Sequence, residues 1–258
     1  DNEEDVFFTA TEPVGNASSN SDDDELGVGV GGLKDLRDQI KAHNEKHPGN
    51  PIINVHDAVR EVMKKATRHL PVGKQAFLNT LPEHQVGKIN VFGSHAWVDN
   101  VTDLLETLIG FCDQRAKQGD ICYFYLDIIC NDQYAIDQVS ISFLAYLPSF
   151  FKWMCVLSED IVPYLPSFFL SFYLCVCVCV QSSGDSKQSW EWWTTTFAKV
   201  IKASGRVVIV MTPFDDPTVA KRAWCLFEAV IAMREQVEIL PVTPPSQRLL
   251  LRGKILES

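Results

Sequence analysis

The chain has 258 residues, 46% hydrophobic and 22% charged, with a formal net charge of −10. That apolar share supports a packed core, enough for one α/β domain with an appendage. The negative balance excludes nonspecific nucleic-acid binding, because nothing would neutralise phosphates. Residue 1 is Asp rather than Met, so a start further upstream is expected, and the absence of a targeting signal carries no weight.

Residues 1–32 read as a disordered acidic tail. The stretch ending in SDDDE is too polar to bury a core. GVGVGG (27–32) matches the G-x-G-x-x-G pattern of dinucleotide sites. An acidic run rather than a strand precedes it, so a flexible linker is the expectation. Residues 33–86 read as a helical lead-in. Leu33, Leu36 and Ile40 share one helical face, and PGNP (48–51) ends that helix. Val55, Val59, Val62, Met63 and Ala66 mark a second helix, closed by Pro71. His43, His47, His56 and His69 have no metal-ligand spacing and read as surface residues, so no metal site is expected.

From residue 87 the pattern changes. KINVFGS (88–94), ICYFYLDII (121–129), RVVIVM (206–211) and VEILPV (237–242) are short apolar runs. Amphipathic segments alternate with them: VTDLLETLIGFC (101–112), WWTTTFAKVIKA (192–203) and a helix expected at about 217–235, with Asp216 as N-cap and Pro217 at its first position. Continuous Val/Ile/Phe runs alternating with helices predict a parallel sheet covered on both faces.

Between Gln138 and Ser182 this alternation collapses. YLPSFF occurs at 146–151 and again at 164–169, and FYLCVCVCVQ (172–181) alternates cysteine with valine. Cysteines at i, i+2 and i+4 on one strand face suit neither zinc nor disulfides. Ile161 to Val180 is uncharged over about 20 residues, one bilayer of helix, but Pro163 and Pro166 lie inside it and a span there would cut the sheet. Val139-Ser140 after Gln138 is encodable as a splice donor. A TG repeat before Gln181 is encodable as an acceptor. The expectation is that 139–181 is a retained intron, with a membrane segment as the alternative. Cys112, Cys122, Cys130 and Cys225 lie in apolar patterns and read as buried thiols of a reducing compartment, hence a cytoplasmic location.

With 139–181 set aside, the order is β-α-β-loop-α-β-α-β, and a 2-1-3-4 strand order is expected. Ligands of such sheets bind beyond the carboxyl ends of the strands, where the order reverses. Ser94, His95, Ala96 and Trp97 follow the first strand, Asp127 ends the second, and Thr212, Pro213, Phe214 and Asp215 follow the third. Trp224 and Glu228, at i and i+4, share a helix face. A carboxylate beside an indole is partly desolvated and suited to acid–base work; a solvated surface glutamate is the plain alternative.

VGKINVFGSHAW, YFYLDIICNDQ, WWTTTFAKVI and RAWCLFEAVIA, in that order, resemble a TIR-like (Toll/interleukin-1 receptor-like) family found in algae and protists. Members read VFVSHAW, FWFDLFSNNQH, WW-x-TTF and RAWCLWE. The likeness spans about 87–138 and 182–245, so residues 87–258 are expected to form the TIR-like domain. The second block departs from the pattern, reading Asn131-Asp132-Gln133-Tyr134. The resemblance implies a flavodoxin-like doubly wound parallel sheet, with a fifth strand and final helix in full-length members. It implies a signalling module with protein partners through homotypic self-association. It makes Glu228 the catalytic residue for cleaving NAD at the nicotinamide–ribose bond, with no cofactor required. Ser94, His95, Trp97, Asp127, Phe214 and Trp224 are the candidate contacts to NAD. A non-catalytic scaffold is the alternative, as is a single-pass membrane protein if 161–180 is genuine.

Overall fold

The computed structural model describes residues 26–134 and 190–257. The tail up to Glu25 and the expected insertion at 139–181 lie outside the described residues. The described chain is mixed α/β, with a six-stranded sheet in which three of the five strand pairings are parallel. The strands are β1 (Leu26–Gly29), β2 (Val86–Lys88), β3 (Val91–Ser94), β4 (Tyr123–Tyr125), β5 (Arg206–Val210) and β6 (Glu238–Val242). Their spatial order is β2-β1-β4-β3-β5-β6. Strands β4-β3-β5-β6 are parallel and follow the order expected from the sequence. β1 runs antiparallel to both β2 and β4.

Strand residues alternate between two faces. Val91, Phe124, Leu126, Val208 and Val210 look to one side, where they join Leu33, Leu36 and Ile40 of α1 (Val30–Lys46) and Leu104, Leu105 and Leu108 of α4 (Val101–Ala116). Phe92, Tyr125 and Val207 look to the other, where they meet Phe197, Val200 and Ile201 of α6 (Trp190–Ser204) and Phe227 and Ile231 of α7 (Ala223–Arg234). Between α1 and β2 lie α2 (Val55–Ala58), a π-helical turn (Val59–Met63) and α3 (Lys64–Thr67). Asn54 caps α2 by accepting the Asp57 N–H at 2.8 Å. A four-residue helix, α5 (Asp127–Cys130), follows β4, and α8 (Arg248–Glu257) follows β6.

Residues 27–32 are not a linker: the Gly-rich stretch is strand β1 and the first turn of α1. A Cβ on Gly27 would stand 2.6 Å from the Phe124 carbonyl oxygen, and one on Gly32 would stand 2.6 Å from a Val28 methyl and 2.9 Å from a Leu81 methyl. The glycines therefore let backbones and side chains close together, which is their alternative use to cradling a phosphate. Gly27→Val is expected to cost about 1–3 kcal/mol, because the obstructing atom is main chain and the strand must move. Urea unfolding followed by circular dichroism checks it. Nor are residues 33–86 a separate lead-in, since α1 packs on α4 and β2 pairs with β1 in the common sheet.

The helix expected from 217 starts later. A 3-10 turn (Thr218–Lys221) comes first, with Pro217 before it, and α7 begins at Ala223. Asp216 does not cap it; its carboxylate pairs with Lys221.

β6 is the last strand of the described sheet. The Met211 N–H donates to the Val242 carbonyl at 2.8 Å. Main-chain groups of a strand residue point to one side, so Glu238, Leu240 and Val242 turn theirs toward β5, while Ile239 and Pro241 turn theirs outward. Among the described residues, no helix is long and apolar enough to cross a membrane.

Candidate functional site

The site lies at the carboxyl ends of β3 and β4, under α7. β3 is apolar and buried along its length, which carries Ser94 into the interior with 1% of its surface exposed. α7 packs its Phe227 and Ile231 on the sheet, and that docking turns Glu228 inward as well. The Ser94 hydroxyl donates to Glu228 Oε2 at 2.6 Å, and the Trp224 indole N–H donates to the same carboxyl group. Glu228 is 4% exposed. Burial holds its carboxyl well above the usual carboxylate range. The Ser94 hydrogen bond works against this, the Asp127 charge adds to it, and the Trp224 bond opposes it again.

The neighbouring groups are also largely buried. Asp127 opens α5, where its Oδ1 accepts the Ile128 N–H at 2.8 Å and its Oδ2 accepts the Trp97 indole N–H at 3.0 Å. His95 Nε2 stands 3.5 Å from Asp127 Oδ1, with the imidazole almost wholly buried and neither ring nitrogen hydrogen-bonded among the described residues. The Cys225 thiol donates to the His95 carbonyl at 3.3 Å, and burial first, then Glu228, pushes it up, so it is no ready nucleophile.

The sequence-derived candidates divide three ways. Ser94 and Glu228 are in direct contact, and His95, Trp97 and Asp127 form an adjoining cluster at the strand ends. Trp224 does two things: it bonds Glu228, and its ring packs edge-on against Phe197 at 4.7 Å and tilted against Phe227 at 5.4 Å. Phe214 has other partners. Its N–H donates to Gln247 Oε1 at 2.8 Å and its ring lies under Lys254 Nζ at 5.2 Å, so it is tied to the segment around α8.

Three buried polar residues, and the half-buried Asn131, were not among those candidates. Asp99 is 7% exposed, and burial raises its carboxyl, with Thr218 and the main chain of Ala96 working against the shift; its Oδ2 has no hydrogen-bond partner among the described residues. The Tyr125 hydroxyl donates to Asn131 Oδ1 at 2.6 Å, and burial pushes the phenol well up. Gln133 donates to the Asp127 carbonyl at 2.8 Å and fixes the loop that carries Asp127. The signal that could have found Asn131 and Gln133 is a polar cluster directly after a fully apolar strand. Among the described residues, no three His, Cys, Asp or Glu side chains converge to hold a metal ion. A cleft of about 530 Å³ between α1 and α4, lined by Arg37, Lys41, Asn44 and Glu106 among others, lies on the opposite face of the sheet.

No protein-family model, no curated protein and no solved structure matches this chain.

Proposed function

We propose that the chain carries a TIR-like signalling module on a flavodoxin-like sheet, and that Glu228 cleaves the bond between nicotinamide and ribose in NAD. The observation that supports this reading is the 2.6 Å contact of Ser94 with Glu228. It joins the end of β3 to α7 beside β5, where the connections leaving β3 reverse direction across the sheet. Open α/β sheets bind ligands at such a point.

The chemistry asks for a carboxylate close to a developing positive charge. When the C1′–N bond breaks, nicotinamide leaves with the bonding pair and the ribose becomes oxocarbenium-like, as in glycoside cleavage. Water then adds to C1′ and its proton goes to solvent. A cationic pyridinium and donating ribose hydroxyls beside Glu228 both favour its ionised form. Ligand entry exchanges the Ser94 hydrogen bond for those of the ribose. His95, Trp97 and Asp127 border the same place and are the proposed contacts; Trp224 orients the carboxyl group.

The test is to incubate the protein, with and without residues 139–181, with NAD and to measure nicotinamide. Release is expected, and Glu228→Ala is expected to lower it at least about 100-fold. A folded, self-associated sample that releases no nicotinamide, or full release from Glu228→Ala, overturns the assignment. The near-complete burial of Glu228 supports a second reading, a non-catalytic scaffold that works by homotypic self-association. That reading predicts concentration-dependent assembly, unchanged in Glu228→Ala, with no turnover.

A further inference from the structure

Ser94 and Asp127 are two positions beyond a matched pair. In the β3–β4 ladder Phe92 lies opposite Tyr125, and their rings stack with centroids 5.7 Å apart on the α6–α7 side. Ser94 and Asp127 thus stand at the ends of neighbouring strands, Ser94 on the strand face of Phe92 and Asp127 as the first residue of α5. Leu126, just before Asp127, joins the opposite core. Glu228 reaches down from α7 to Ser94, which brings a second carboxyl group into the immediate neighbourhood of the first. Asp127 is also held from two directions, by the Trp97 indole N–H and the Ile128 N–H.

We propose that Asp127 is a positioning residue for Glu228: its carboxylate, pinned by Trp97, governs when Glu228 gives up its proton, so the site holds an unequal carboxyl pair rather than a lone acid. Two close carboxyl groups do not ionise independently, and the one with less water around it keeps the proton. Glu228 is the more buried of the two. The other titratable and charged groups here are His95 from the β3 loop, Tyr125 and Cys130 from β4 and α5, Cys225 on α7 and Arg222 just before it. α6 presents the Phe197 ring from the side that packs on Trp224. Asp99 lies beside His95 and Arg222 but is not one of the groups acting on Glu228, which makes it the internal control.

The inference concerns the site of the proposed NAD reading, but its test needs no NAD. The full chain is labelled with ¹³C at the glutamate side-chain carboxyl carbons. The Glu228 signal is assigned by its loss in Glu228→Gln and followed against pH. In Asp127→Asn, which keeps an acceptor for Trp97, the Glu228 midpoint is expected to fall by about one pH unit. Asp99→Asn is expected to leave it in place. Asp127→Ser serves the same purpose if the Asn variant does not fold. A midpoint unmoved by loss of Asp127, or moved as far by Asp99→Asn, overturns the proposal. A shifted midpoint in a protein that leaves NAD intact upholds the carboxyl pairing and removes only the enzymatic reading. A fixed midpoint in a protein that cleaves NAD does the reverse.

Discussion

A chain that begins at residue 47 is expected not to fold. It loses β1, which lies between β2 and β4, and α1, which covers α4. Val28, Leu33 and Leu36 are completely buried and Ile40 nearly so. Each such side chain contributes about 1.5–3 kcal/mol on burial, so the four together amount to about 6–12 kcal/mol. That equals most of the net stability of an ordinary domain, about 5–15 kcal/mol. The apolar faces of Leu104, Leu105 and Leu108 on α4 would also be uncovered. Circular dichroism with urea titration reads the result: no cooperative transition in the truncated chain. A graded version is Leu36→Ala, expected to cost about 2–5 kcal/mol through lost transfer energy and the cavity left behind. A truncated chain with an intact cooperative transition would mean that β1 and α1 are an accessory layer.

The second large effect is the pH dependence that Glu228 imposes on stability. In the unfolded chain a glutamate titrates near pH 4.3. In the folded protein burial holds this carboxyl well above that. Below the unfolded value both states are protonated and the group costs nothing. As pH rises past it, the unfolded chain releases a proton that the folded protein keeps. Folding then loses stability at up to about 1.4 kcal/mol per pH unit, until the pH reaches the folded pKa. Glu228→Gln has no proton to lose and keeps a similar shape. The variant is therefore expected to be the more stable at neutral pH, with the gap closing below about pH 4. Thermal melts of both proteins across this range measure it. Parallel curves would show that Glu228 ionises in the folded state as easily as in water.

The sheet from β3 to β6 was legible because its strands read as apolar runs; β3, β4 and β5 are largely buried, while β6 at the edge is half-buried to exposed. Alternation with helices pointed to parallel strands, and the 2-1-3-4 order assumed for them is the order of β3 to β6 in the sheet. β1 was not legible for the opposite reason. LGVG has little intrinsic strand preference, and its glycines are required only because Phe124, Ile89, Gln85 and Tyr123 come so close. A contact that distant in the chain leaves no local trace. The helix after β5 was misplaced because Asp216 and Pro217 form a good local start signal. The chain instead spends those residues on a 3-10 turn that brings Val219 into contact with Ala96 and Cys225.

The candidate site divides along the same line. Glu228 and Trp224 were visible from their helical spacing, and Ser94 from its place at a strand end. Phe214 satisfied the same rule of position, yet its neighbour is Lys254, 40 residues further along the chain. Asp99 and Gln133 were invisible because a lone polar residue in a loop reads as solvated until its burial is known.

Pro241 bears on whether another strand could add to the outer side of β6. Facing away from β5, it has no amide hydrogen to give, so the outer margin of β6, the last strand among the described residues, offers an incoming strand an interrupted row of donors. Lateral stitching of one sheet to another at that margin is one bond short at its middle. The main chain of β6 is therefore a poor template for strand addition, the protection that a proline gives an edge strand.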